Sequence, residues 1–279
     1  MSLAPWMDPA NLAPGDAKSL EGDWAGFELH DIRDTRSPGF DMAFGALWSE
    51  FGSVGEMEQA DVLARRMAWA AEFRDGAALH YGLSLVVKDG GLVAVRDHTV
   101  IVLEGQAGAV VHLSHNLVAP AWRRSGIAGW MRALAVAAAK SFLKELGRGD
   151  GEPITLAGEM EHHDPAKPKT WVRLIAYEKS GFKMVDPGAV HYLQPDFRDP
   201  AEIDRSGGAH PVPLCLVTRR VGQESEEFLT GAEVRFLVQS LYKMYGTEFR
   251  ACDMKVVWDS LENYPPADAR IGLLPPTQP

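Results

Sequence analysis

Apolar and polar positions along the chain change period several times, and each change marks an element. Residues 1–25 carry scattered Pro, Gly and Asp with no period, which predicts an irregular arm. A short strand is expected from Phe27 to Ile32. FDMAFGALWSEFG and EMEQADVLARRMAWAAEF then space their apolar residues at three and four, predicting two amphipathic helices around a Gly-Ser-Val-Gly loop. From Ser84 the pattern becomes that of strands. SLVV, the turn Lys88-Asp89-Gly90-Gly91, LVAVR, TVIVLE, a Gly-rich turn and AVVHLSHNLV read as an antiparallel meander.

Helical spacing returns from Ile127 to Leu146, with Trp130, Leu134, Ala138 and Phe142 on one stripe and Gly147 as the stop. ITLAGEM reads as a strand and TWVRLIAYEKS as a helix ended by Gly181. VHYLQPDF and PVPLCLVTRR read as two further strands, and a last helix runs from Gly231 to Tyr245 before a tail ending in LLPPTQP. This order predicts an α+β, or mixed α/β, arrangement around one central sheet. Residues 26–222 form the expected domain, and residues 223–279 a C-terminal helical extension.

Composition narrows the classes. At 46% hydrophobic and 24% charged over 279 residues, the chain has a globular profile. Its net charge of −10 repels phosphate backbones from most of the surface, so no nucleic-acid partner is expected. Two cysteines make no disulfide framework and no metal-ligand spacing, which points to a reducing cytoplasm and no metal. MSLAPWMDPANLAPGD lacks the basic start and apolar core of a secretory signal. The run MRALAVAAAKSFL is broken by Arg132 and Lys140 and is too short to span a bilayer, so no membrane association is expected.

Against this acidic background, LVAPAWRRSGIAGW places two arginines and a glycine between a strand end and a helix start. Pro120 stops ladder pairing, and the helix that follows offers unpaired N–H groups at the positive end of its dipole. Arg123, Arg124, Ser125, Gly126, Ile127, Ala128 and Gly129 therefore suit a diphosphate, with Gly126 allowing close approach to the backbone. The loop lacks the Gly-Lys-Ser/Thr ending of a P-loop and the third glycine of a dinucleotide fingerprint.

The segment resembles the GNAT superfamily of acyl-CoA N-acyltransferases, whose recognisable pattern is a strand, V-x-P, then Q/R-x-x-G-x-G/A opening a helix. VAPAWRRSGIAG has Arg123 at the first position, Gly126 at the next and Ala128 at the last. A second signature, Y-E-K-x-G-F at a helix end, is met by AYEKSGF, residues 176–182. The resemblance covers about Phe27 to Arg220. It implies the GNAT-like fold, acetyl-CoA as co-substrate, its pantetheine arm along the strand carrying Asn116, Leu117 and Val118, and its diphosphate on the loop that follows.

The resemblance also makes Tyr177 the acid that protonates the leaving thiolate, and a backbone N–H of Asn116 or Leu117 the oxyanion donor. For the base, His112 falls where some members carry a glutamate, and His115 competes with it. In a regular strand these two histidines point to opposite faces, unless a bulge changes the phase. Glu159, Glu161 and the run His162-His163-Asp164 are further candidates. Many members carry an Asn seven residues before the tyrosine, and Thr170 stands there.

The implied activity is transfer of an acetyl group to a primary amine of a small molecule or peptide. Phe44, Trp48, Glu50, Tyr192 and the loop from Asp199 to His210 are expected near the acceptor. The alternative is a non-catalytic acyl-CoA-binding module that uses the helix from Gly231 to Tyr245 for a partner or a homodimer.

Overall fold

The computed structural model describes residues 2–52, 57–163 and 168–278, with the side chains of residues 168–170 outside that set. The chain divides into two compact units, Met1–Ile154 and Thr155–Pro279. Each has an antiparallel sheet with helices beside it, and the fold is mixed α/β.

In the first unit, β1 (Phe27–Ile32) pairs with β2 (Ala77–Lys88), which pairs with β3 (Gly91–Leu103). Two short strands, β4 (Ala109–His112) and β5 (Asn116–Val118), both pair with β3. Asp89 and Gly90 close the β2–β3 hairpin at φ +50° and +74°, the left-handed pair that a two-residue turn of matching twist requires.

β3 is one continuous strand, where the sequence predicts two, LVAVR and TVIVLE, broken at Asp97-His98. Asp97 and His98, with Arg96 before them, lie inside the fold. β2 likewise begins seven residues before the predicted start, because covered faces on both sides replace alternation with a nearly unbroken buried run. Leu83, Leu85, Val87 and Val95 pack toward α1 (Phe40–Phe51) and α2 (Ala60–Met67). Val86 and Ala94, on the other face, pack against α3 (Ile127–Glu145). α2 is shorter than the helical spacing predicts.

Between β4 and β5 the register slips by one residue. Thr99 stands opposite His112, and Arg96 stands opposite Asn116. Asp97 N–H donates to His115 O (3.2 Å), so Leu113 and Ser114 together face His98. This bulge puts His112 and His115 on the same face of the sheet, that of Asp97 and Tyr81.

The arm expected to be irregular is built into the unit. Two 3-10 turns, Pro9–Asn11 and Pro14–Leu20, lead to Trp24, which is 2% exposed and packs with Phe27, Ile127 and Trp130. Asp16 receives two bonds from Arg132 of α3 (3.1 and 2.6 Å), and Lys140 donates to Asn11 (2.7 Å). The arm thus covers a side of α3 that a one-stripe pattern assigns to solvent. Met131, Arg132, Ala135 and Ala139 are buried, whereas Leu134 and Ala138 of the predicted stripe are only half-buried.

In the second unit the strand order is β6 (Ile154–Met160), β10 (Cys215–Arg220), β7 (Lys183–Val185), β12 (Arg270–Leu274), β11 (Phe228–Thr230). β8 (Leu193–Gln194) and β9 (Val212–Pro213) form a separate ribbon. The helices are α4 (Pro168–Lys179), α5 (Pro200–Arg205), α6 (Gly231–Tyr245) and α7 (Ala251–Ser260). α6 opens with a capping box of Thr230 and Glu233 and buries Val234, Leu237, Leu241 and Tyr242. β12, from the segment read as a tail, pairs with both β7 and β11, so residues 223–279 contribute to this unit's own sheet. No helix of the described residues is long and apolar enough to cross a membrane.

Candidate functional site

β5 has one neighbour among the described pairings, β3. The ladder bonds fix which of its groups are committed. Asp97 N–H donates to His115 O, and Ala119 N–H to Val93 O (2.9 Å). By antiparallel alternation the pair between them, Val95 and Leu117, also exchanges bonds, while Asn116 and Val118 turn their N–H and C=O groups to the other edge. Leu117 thus spends its N–H on the ladder and its side chain on the α1 and α2 cluster, so that of the two expected oxyanion donors only Asn116 turns its N–H away from β3.

Past β5 the chain makes a 3-10 turn, Pro120–Trp122, and reverses into α3 through two left-handed residues, Arg124 (φ +66°) and Gly126 (φ +100°). Ser125 Oγ donates to Trp122 O (2.7 Å) and accepts from Ile127 N–H (3.3 Å). Gly129 N–H donates to Gly126 O (3.0 Å). The N–H groups of Arg124, Gly126 and Ala128 have no acceptor among the described residues. Arg123 and Arg124 are exposed, and Arg123 Nε also donates to Val118 O (3.3 Å). Ile127 is buried and holds the helix start in place.

The faces of the two glycines are not open to a ligand. A Cβ on Gly126 would lie 2.8 Å from Ser19 Cα, and one on Gly129 would lie 2.2 Å from Ser19 Oγ. Ser19 is bound there: Oγ donates to Gly126 O (2.7 Å), and its carbonyl accepts from the indoles of Trp24 (2.7 Å) and Trp130 (3.0 Å). This corrects the reading of Gly126 as room for a diphosphate, because that room admits the arm.

Acetyl-CoA can still be tested against what remains. Loop N–H groups at a helix start, with two exposed arginines, fit a diphosphate. Among the described residues the buried Asn116 Oδ1 has no donor, and it fits an amide N–H.

On the α1 and α2 face, His115 Nδ1 lies 3.0 and 3.2 Å from the two Asp97 oxygens, and His115 N–H donates to Asp97 Oδ1 (2.7 Å). Tyr81 OH donates to Asp97 Oδ2 (3.0 Å). Burial alone would raise the Asp97 carboxyl, yet the His115 ring and the bonds from His115 and Tyr81 hold it well below the usual carboxylate range. Burial, then Asp97, pushes the Tyr81 phenol well up, so it stays a donor. His112 has a neutral neighbour, Ser114 Oγ, 3.2 Å from Nδ1. The strand-phase objection to the two histidines acting together falls with the bulge. Among the described residues no three His, Cys, Asp or Glu side chains are placed to hold a metal ion. α1 presents Phe40, Phe44 and Trp48 as a stacked row with centroids 5.5 and 5.6 Å apart.

In the second unit, AYEKSGF closes α4. Phe182 N–H donates to Tyr177 O (3.1 Å), Gly181 N–H to Glu178 O (3.0 Å), and Gly181 is left-handed at φ +80°. This is a Schellman cap, with the Tyr177 and Phe182 rings 4.8 Å apart as its apolar contact. The Tyr177 ring reaches Gly158 of β6, lying 3.8 Å from where a Cβ would stand there.

Glu159 is saturated rather than poised as a base. It accepts from the hydroxyls of Tyr192 and Tyr245 and from Gln194 Nε2 (3.1 Å). Tyr192, expected at the acceptor, is buried and serves this bond. Glu161 pairs with Arg173 (3.5 Å), and His163 packs on Trp171. His162 Nδ1 lies 3.1 Å from Cys215 Sγ, whose thiol burial pushes up to about 11. Asp164 and the Thr170 side chain fall outside the described residues. Asp97 and Tyr81 went unread as site residues. The signal for Asp97 was a carboxylate inside an otherwise apolar strand run.

The chain matches no protein-family model and no curated protein. Among solved structures it is similar to the GCN5-related glucosamine N-acetyltransferase region of a fungal multi-domain GH3 beta-N-acetylglucosaminidase, at 17% identity over 64% of this chain and 20% of that one, with a TM-score of 0.39. It is also similar to a tandem GNAT protein from the clavulanic acid biosynthesis pathway (15% identity, 85% and 64% covered, TM-score 0.36). A third is a GCN5-related N-acetyltransferase from Sphaerobacter thermophilus (16% identity, 58% and 44% covered, TM-score 0.33). The chain spans about a fifth of the fungal protein and less than two thirds of the other two.

Proposed function

We propose that the protein is a GNAT-type N-acyltransferase that moves an acetyl group from acetyl-CoA to a primary amine of a small molecule or peptide. The observation that carries the reading is the edge of β5, which among the described residues has no ladder partner beyond β3 and no donor to Asn116 Oδ1, running directly into an arginine loop whose N–H groups at Arg124, Gly126 and Ala128 have no acceptor among those residues. In this reading Asn116 and Val118 hold the pantetheine amides and the thioester oxygen through their outward backbone groups. Arg123, Arg124 and the N–H groups of Arg124, Gly126 and Ala128 hold the diphosphate. The co-substrate supplies an activated acyl thioester. Tyr177 takes the role of acid on its motif alone. Two free cysteines, one of them exposed, support a reducing compartment for this reading.

A second reading, an acyl-CoA-binding module without turnover, is favoured by the Schellman cap, which gives Tyr177, Gly181 and Phe182 a folding role that needs no catalysis. Incubation with acetyl-CoA and a polyamine, an amino sugar, an arylalkylamine and a lysine peptide separates the two, with free thiol as the readout. Thiol release that depends on one amine class supports the enzyme. Calorimetric binding of acetyl-CoA without turnover on any amine supports the module, and no binding at all overturns both.

A further inference from the structure

We propose that His115, oriented by Asp97 and Tyr81, is the base that accepts the amine proton in the transfer proposed above, an inference that rests on that reading. Three observations converge on this ring. The bulge at Leu113 and Ser114 turns it to the face carrying α1 and α2. Both Asp97 oxygens lie within 3.2 Å of Nδ1, which fixes the proton on Nδ1 and makes Nε2 the basic nitrogen. Its backbone neighbour is Asn116, whose N–H faces the unpaired strand edge. A proton acceptor and an oxyanion donor thus come from adjacent residues of one strand, one through its side chain and one through its backbone.

Asp97 and Tyr81 are positioning residues. The carboxylate raises the basicity of the ring and stabilises the imidazolium, as an aspartate does for a general-base histidine. The Tyr81 hydroxyl, bonded to Oδ2, keeps the carboxylate oriented and draws off part of its charge. Among the described residues, the charged and titratable groups facing the ring include Asp97 on β3, Tyr81 on β2, His112 on the same face, and the ion pair of Arg66 on α2 with Glu58, whose charges reach Tyr81. α1 contributes Phe51, whose ring centroid lies 4.8 Å from that of His115. His112 shares the face, and its Nδ1 lies 3.2 Å from Ser114 Oγ, so the His112→Gln variant compares the two rings directly.

The proton count closes. As the C–N bond forms and the C–S bond breaks, the amine gives up one proton. Nε2 receives it and releases it to solvent, while the departing sulfur takes one proton from the acid, which solvent restores, so the protein ends the cycle unchanged.

The test uses the full chain, acetyl-CoA, and the best amine of the panel at saturation. His115→Gln is expected to lower kcat by about 100-fold or more, with the Kd for acetyl-CoA unchanged and the acid limb of the kcat profile lost, while His112→Gln retains both. Asp97→Asn is expected to move the acid limb to lower pH, since the ring loses its anion. Tyr81→Phe is expected to move it to higher pH, since the carboxylate regains charge. These opposed shifts keep the proposal testable should His115→Gln fail to fold, and no merely structural role produces them. Retention of kcat within about threefold by His115→Gln, or an acid limb that neither Asp97→Asn nor Tyr81→Phe moves, overturns the assignment of the base alone. Absence of turnover by the unaltered protein on every amine overturns the proposed reaction and this inference with it.

Discussion

Gly126→Ala separates two roles for one glycine, room for a ligand and room for the arm. The residue stands at φ +100°, where an alanine costs about 1–2 kcal/mol. The added Cβ would lie 2.8 Å from Ser19 Cα, 3.2 Å from Ser19 N and 3.3 Å from Lys18 O. All three are backbone atoms, so no side-chain rotation relieves the clash and the arm itself must move. Ser19 then gives up its bond to Gly126 O and those it accepts from Trp24 and Trp130. At about 1 kcal/mol net for each of these bonds, the total reaches about 4–5 kcal/mol, a large share of the roughly 5–15 kcal/mol that stabilises a typical protein. Urea unfolding measures the loss, and tryptic cleavage after the exposed Lys18 reports release of the arm. The expected result is a lower midpoint together with faster cleavage. Stability within about 0.5 kcal/mol of the parent, with cleavage unchanged and acetyl-CoA affinity reduced, refutes the arm's claim on the glycine. Gly129→Ala sharpens the test, because alanine is favoured by about 1 kcal/mol within a helix. A net loss there is assigned to Ser19 Oγ and Asp16, and Ser19→Gly is expected to recover part of it.

Further outcomes are expected elsewhere. Arg132→Met leaves the buried Asp16 carboxylate without its fork of bonds and is expected to cost about 3–5 kcal/mol in urea unfolding; the double variant with Asp16→Leu recovers most of this, and full additivity of the two losses contradicts the pairing. Burial, then the His80 and Arg96 charges, lowers the His98 pKa to about 3 from 6.5, so the unfolded chain binds the extra proton between those values. The resulting stability is complete above pH 6.5 and declines toward pH 3 by at most about 1.4 kcal/mol per unit. His98→Leu is expected to flatten that slope, and an unchanged slope places the acid sensitivity elsewhere. Tyr177→Phe keeps the ring contact with Phe182 and removes only the hydroxyl. Turnover is expected to fall by about 100-fold with acetyl-CoA affinity and melting temperature retained, and an unimpaired rate removes Tyr177 as the acid.

Elements whose exposure alternates simply, or whose stops are local, were legible in the chain. The bounds of β1, β6 and α6 follow the sequence pattern, and α3 follows it to within a residue. Gly181 ending α4 and Asp89-Gly90 turning a hairpin depend on backbone conformations that few residues other than Gly, Asn and Asp adopt, so they too were readable. The Arg123–Gly129 loop was found because charge and glycine stood out against an acidic chain. The length of β3 was not legible, since Arg96, Asp97 and His98 look like solvent-facing residues until both faces of the strand are covered.

The sequence by itself determined the order of elements from β1 to α4, the position of the loop at the start of α3, and the chemical inventory of histidines, carboxylates and tyrosines. Only the tertiary structure decided which of these meet. A one-residue bulge, invisible to periodicity, placed His112 and His115 on one face and brought Asp97, eighteen residues earlier than His115, onto its ring. Tertiary contact also gave Gly126 and Gly129 to an arm more than a hundred residues away, and surrounded Glu159 with hydroxyls from Tyr192 and Tyr245. The physical reason is common to all three cases. Local pattern reports the environment a residue prefers, whereas a partner is selected by register and packing between segments distant in the chain.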